Sequence, residues 1–168
     1  MTNAIRTKQR AAGYLRALMG NYALTSGIMY KSELQDARLD FSEASLQRVD
    51  LLLDHIRNIN TLSFNDFIND LPRQNFLFAL AFYTGKVIEL NSASVCNWLT
   101  ADEFDQVTPN VASSNEIRHT FIADFTQGTH GEGQYFPLVP IIHRLFDEYP
   151  DEKSVWFSAG MFMELSLK

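Results

Sequence analysis

The most continuous apolar stretch lies mid-chain, at Phe76-Leu77-Phe78-Ala79-Leu80-Ala81-Phe82-Tyr83. It leaves no polar face, so a helix over 73–91 should be surrounded by other elements and form the centre of the fold. Gly85 costs roughly 1 kcal/mol relative to Ala in a helix interior. Its missing side chain lets a backbone or a bulky ring approach closely. Upstream, Leu46, Val49, Leu52, Leu53 and Ile56 make one stripe of a helix starting near Ser42, after a turn at Asp40–Phe41, with Gln47, Arg48, Asp50 and Asp54 facing away. Leu15, Leu18, Met19 and Tyr22 make the stripe of a first helix over about 3–24, followed by a loop through Gly27 and the polar stretch 31–38. Ser63 with Asp66 resembles a capping box opening a short helix that encloses Phe64, Phe67, Ile68 and Leu71 and ends at Pro72.

The period changes after Asn91. Val95–Leu99, with Trp98, and His119–Phe125, with Phe121, Ala123 and Phe125 on one face, read as strands that pair. Three glycines within Gln127–Gln134 mark a loop or hairpin turn. Pro137 or Pro140 opens a helix with Leu138, Ile141, Ile142, Leu145 and Phe146 inward, and Pro150 stops it. A last apolar helix runs over Ser154–Leu167 with Ser154 as its cap. The expected fold class is therefore α+β: one mainly helical domain, spanning 1–168, with a small antiparallel sheet. No repeat, low-complexity tract or domain boundary interrupts it.

Length and composition agree with that reading. A chain of 168 residues with 46% apolar residues is long enough for a substantial core, and one Cys excludes a disulfide framework. The apolar run is far short of the ~20 residues that span a bilayer. Arg16, Gly13, Gly20 and Asn21 break up the N-terminal stretch that would otherwise suggest a signal peptide. A soluble, cytoplasmic protein with no membrane partner is expected. The net charge of −6 is unevenly spread. Arg6, Lys8, Arg10, Arg16, Lys31 and Arg38 against Glu33 and Asp36 give the first 38 residues a net of +4, while the remaining 130 carry 8 basic and 18 acidic groups, a net of −10. The basic N-terminal helix should fold back onto this acidic body. It lacks the interleaved aromatics of a single-strand binder, and the overall charge opposes a polyanion, so no nucleic-acid partner is expected.

The segment Phe82-Tyr83-Thr84-Gly85-Lys86-Val87-Ile88, followed ten residues later by Trp98, resembles a group of small, uncharacterised bacterial domains with a pattern close to Y-x-G-E-V-I…W. The resemblance covers about residues 44–165, including the amphipathic Leu46–Ile56 segment and the Pro-led Phe136-Pro137-Leu138 helix. Where the pattern has Glu, this chain has Lys86, with Glu89 one turn later. The resemblance implies a bacterial accessory protein that binds another protein, in an immunity-like or secretion setting.

Three chemistries deserve weighing. Cys96 could pair with His119 or His130 in a hydrolase, with Asp124 or Asn115 orienting the ring, and His143 is a further histidine after it. However, Ser94-Val95-Cys96-Asn97-Trp98 reads as a strand among bulky residues, where a thiol is inert filler. His119, Asp124, His130 and Glu132 are suitable metal ligands but match no known spacing, and on one strand 119 and 124 point to opposite faces. The Gly128–Gly133 loop lacks the Lys-Ser/Thr of a phosphate cradle, and Glu132 would repel phosphate. No metal or cofactor is expected. What remains is a non-catalytic interaction factor. Its acidic surface at Asp147, Glu148, Asp151 and Glu152, joined by His130 and Tyr135, would face a basic protein partner. Self-association is a further expectation, since Trp156, Phe157, Met161, Phe162 and Met163 exceed what one buried helix face needs.

Overall fold

The computed structural model of the chain describes residues 3–107, 121–126, 133–147 and 153–165. In chain order these form α1 (Asn3–Leu18), α2 (Lys31–Asp36), α3 (Ser45–Ile59), α4 (Phe64–Asn69), α5 (Leu71–Ser92), β1 (Val95–Thr100), α6 (Ala101–Val107), β2 (Phe121–Thr126), β3 (Gly133–Tyr135), α7 (Leu138–Phe146) and α8 (Val155–Leu165). The arrangement is α+β and mainly helical, with a three-stranded antiparallel sheet in the order β1-β2-β3. Among the described residues no helix is long and apolar enough to cross a membrane.

Helix α5 is the central element, as its lack of a polar face requires. Phe76 through Tyr83 are all buried, and α1, α4, α7, α8 and the sheet pack around them. The two polar side chains it buries near its middle are satisfied: Thr84 donates to the Leu80 carbonyl, and the Tyr83 hydroxyl accepts the Phe41 N–H at 2.9 Å and bonds with Ser45. Gly85 does admit a ring. A β-carbon there would lie 2.4 Å from the Trp98 indole, which crosses this point of the helix and meets Phe82 edge-on at 4.7 Å. Phe82, Gly85 and Trp98 thus fit one another as a packing set, whereas Tyr83 turns to Phe41 and Ser45.

Strands β1 and β2 pair with Cys96 opposite Phe125 and Trp98 opposite Ala123. Alternation turns Cys96 and Trp98 inward while Val95 and Asn97 face out. The expected glycine loop is shorter at its end: Gly133 and Gln134 belong to β3, opposite Phe125 and Asp124. Residues 127–132 of that loop, the start of the expected second strand at His119, and Pro150 lie outside the described residues.

Four boundaries differ from the sequence expectation. Helix α1 stops at Leu18 rather than near 24, because Gly20 takes a positive φ and the chain closes with Gly20 N–H to Ala17 and Asn21 N–H to Arg16. Its buried face is Ala11, Tyr14 and Ala17, while Met19 and Tyr22 are exposed. The polar stretch 31–38 contains α2, seated by buried Leu34. Pro72 does not end α4; it lies in the first turn of α5, where its missing N–H costs nothing, and Leu71 is exposed rather than enclosed. Helix α6 follows β1 directly, opened by a reciprocal cap between Thr100 and Glu103.

Candidate functional site

Helix α8 is fixed on one side by an ionic clamp. Asp50 on α3, expected to face solvent, is instead buried. Its carboxylate accepts the Val155 N–H (2.8 Å), the Trp156 N–H (3.3 Å) and the Ser154 hydroxyl (2.6 Å). A carboxylate at a helix N-terminus satisfies orphan donors and complements the dipole. Ser154 caps the same end as expected, accepting the Phe157 N–H at 3.0 Å. From α7, buried Arg144 forks onto Asp54 at 2.8 and 2.7 Å, lies 3.8 Å from Asp50, and donates to the Lys153 carbonyl at 2.9 Å. Arg57 donates to the carbonyls of Arg144 and Asp147, closing the end of α7. The buried charges are therefore paired and bonded, which is the condition for their being tolerated.

The clamp and the buried Val155 and Ala159 fix which side of α8 turns outward. Trp156, Phe157 and Met161 stand 37%, 61% and 42% exposed, with Gly160 among them and Glu164 at the far end. At 100° per residue these positions share one face. Among the described residues, a β-carbon at Gly160 would meet nothing within 4 Å. Beside this face, between α7 and α8, runs a cleft of about 290 Å³ lined by Val139, Pro140, His143, Lys153, Phe157 and Ser158. Phe157 forms its rim.

The expected acidic surface divides. Asp147 is described, half-buried at the end of α7, with His143 Nδ1 2.7 Å from its carboxylate. Glu148, Asp151, Glu152 and His130 lie outside the described residues. Tyr135 is corrected: only 6% exposed, it packs on Phe162 and donates its hydroxyl to Ser158, so it supports α8 from within and presents nothing to a partner. Burial pushes its phenol well above the ordinary range.

Cys96 lines a second cleft, of about 440 Å³, between α1, α5 and β1, together with Lys8, Leu15, Lys86, Glu89 and Trp98. Cys96 as a residue is 4% exposed. Burial, and secondarily the Glu89 carboxylate, push it far above the usual thiol range. A nucleophilic thiol requires the opposite, a cation or helix N-terminus that favours thiolate. Neither described histidine, His55 or His143, lines this cleft; His119 and His130, its expected partners, and Asn115 lie outside the described residues.

Of the metal-ligand types weighed, Asp124 is described, at a β2 position opposite Asn97 and Gln134, and His119, His130 and Glu132 are not. Among the described residues no cluster of three or more His, Cys, Asp or Glu could hold a metal ion. The surface built by α7 and α8 was only half legible in sequence. The surplus of apolar residues signalled α8, but the glycine at its outer face and the Asp50 clamp depend on tertiary placement. No family model matches the chain, and neither a curated protein nor a solved structure matches it.

Proposed function

We propose that the chain is a non-catalytic protein-interaction factor, an accessory protein that acts by binding a basic partner through the outer face of α8. The observation that carries this is the grouping of Trp156, Phe157 and Met161 around Gly160 on a helix whose other side is clamped. Aromatic and Met side chains at the centre of a contact, with a polar rim, are what protein interfaces concentrate. The helix glycine, whose β-carbon position is open among the described residues, allows close approach of a partner backbone. The sequence entering α8 supplies four carboxylates, at Asp147, Glu148, Asp151 and Glu152, against Lys153. An apolar centre beside an acidic stretch fits a partner with a basic rim. Two copies of the same face would bring like charges together, which favours a different partner over self-association. The immunity-like setting implied by the family resemblance is compatible with this mode of action.

The test uses the intact protein and Phe157→Asp as baits at low and moderate salt, with sedimentation of each at several concentrations. A stoichiometric partner lost in Phe157→Asp and weakened by salt supports the proposal. Equal capture by both baits, or concentration-dependent dimerisation abolished by Phe157→Asp with no other partner, contradicts it.

A further inference from the structure

Helix α8 is apolar on both sides. Val155 and Ala159 are buried against the fold, and Trp156, Phe157 and Met161 stand on the opposite side. At 100° per residue the outward positions run round the helix in the order Trp156, Gly160, Glu164, Phe157, Met161, across an arc of about 140°. A stripe of that width is what a helix buries against a neighbouring element. Phe157, Gly160, Met161 and Glu164 also stand at i, i+3, i+4 and i+7. Four residues at that spacing frame the hole into which one side chain of a facing helix fits. Gly160 leaves the floor of this hole without a side chain, and among the described residues its β-carbon position is open. Such a gap lets two helices approach closely. Charge marks the far end of the hole. Glu164 lies in the last turn of α8, which holds no basic residue, and the helix dipole is negative there as well.

Resting on the α8 reading above, we infer that the partner docks here through a basic amphipathic α-helix. One of its apolar side chains sits over Gly160 between Phe157 and Met161, and a Lys or Arg on the same face meets Glu164. The oblique rows 157–161 and 160–164 interdigitate with the matching rows of a helix, whereas an extended segment presents its side chains in a single straight row. An acidic helix would set like charges together at Glu164.

The probes are three peptides of equal length, each long enough to span α8. One has Leu and Lys with Leu at helical spacing, one has the same composition in strict alternation, and one has the helical pattern with Glu in place of Lys. Binding to the full chain is followed by the indole N–H resonances, which Trp156→Phe assigns between the two tryptophans. The expected result is saturable binding of the helical Leu/Lys peptide that shifts Trp156 and leaves Trp98 unmoved. The alternating and the Glu peptides should bind at least about tenfold more weakly, and Glu164→Gln should lose about tenfold of the preference for Lys over Glu. Gly160→Leu fills the floor of the hole and should weaken the helical peptide about fivefold or more. Its thermal midpoint should be no lower than the parent's, since Leu is the better helix former. No binding of the helical Leu/Lys peptide, equal binding of either other peptide, or a preference unchanged in Glu164→Gln would overturn the inference. So would undiminished binding to Gly160→Leu, or a lowered midpoint, which would mean that the chain itself fills the hole. In each of these cases a natural partner captured by the parent and lost in Phe157→Asp leaves the α8 surface standing, and equal capture by those two removes both.

Discussion

Gly85 shows how one missing side chain sets the centre of the molecule. Helix propensity alone favours Ala there by about 1 kcal/mol. The Trp98 ring, 2.4 and 2.6 Å from where a β-carbon would stand, opposes it, and the ring is itself wedged against Phe82. Overpacking of this kind costs about 1–3 kcal/mol, so Gly85→Ala should be less stable than the parent in urea denaturation despite its better propensity. A more stable variant would show that Trp98 yields freely. Cys96 makes a second prediction at this scale. Its folded thiol ionises at higher pH than the unfolded one, so the unfolded chain loses protons first as pH rises. Stability is unaffected below the unfolded thiol value of about 9 and falls above it, by about 1.4 kcal/mol per pH unit. Cys96→Ala should remove the part of this fall that begins near pH 9. The raised Tyr135 and Tyr83 phenols, starting from 10.0, add a later one. Native Cys96 should accordingly resist alkylation at neutral pH and react on unfolding; rapid native labelling would return the hydrolase reading to consideration.

At the scale of elements, α8 depends on a residue about a hundred positions away in sequence. Asp50→Ala removes the acceptor of two backbone N–H groups and the Ser154 hydroxyl, while the Arg144 fork on Asp54 stays. A loss of about 1–3 kcal/mol is expected, with faster amide exchange at Val155–Phe157 before the rest of the fold opens. Unchanged exchange there would show that α8 is held by packing alone. Asp50 also marks the limit of sequence reading. Periodicity located α3, α5, α7 and α8, since each has to bury a face. It placed Asp50 on the solvent side because the partner covering that side, the α7–α8 end, is invisible to a local pattern. Helix α6 was missed although Thr100-x-x-Glu103 spells its cap, because seven polar-rich residues show no apolar stripe. The early end of α1 was written in Gly20. The segment around α2 was harder: Ser26, Tyr30, Arg38 and Phe41 all take positive φ, conformations that a non-glycine chain adopts when tertiary contacts impose them. Those contacts are Asn75, which donates to the Thr25 and Gly27 carbonyls, the Met29 N–H on Pro72, and the Tyr83 hydroxyl.

At the scale of the whole molecule, two described basic residues of α1 meet aromatic rings. Arg10 lies 4.9 Å from the centroid of the Phe121 ring and 5.5 Å from that of Phe78, and Arg16 lies 5.2 Å from that of Tyr22. Cation–π contact accounts for these two arginines. Phe157, 61% exposed, contributes little to the fold. Phe157→Asp should change unfolding stability by no more than about 0.5 kcal/mol while abolishing partner binding. A large loss of stability would mean the residue serves the core instead. The most direct measurement replaces Phe157, Met161 and, as a distant exposed control, Leu71 one at a time with a photoreactive phenylalanine analogue in the full chain and crosslinks in cells. The account predicts one common crosslinked protein from positions 157 and 161 and none from 71. Crosslinking that is absent from 157 and 161, or equal at all three positions, would contradict it.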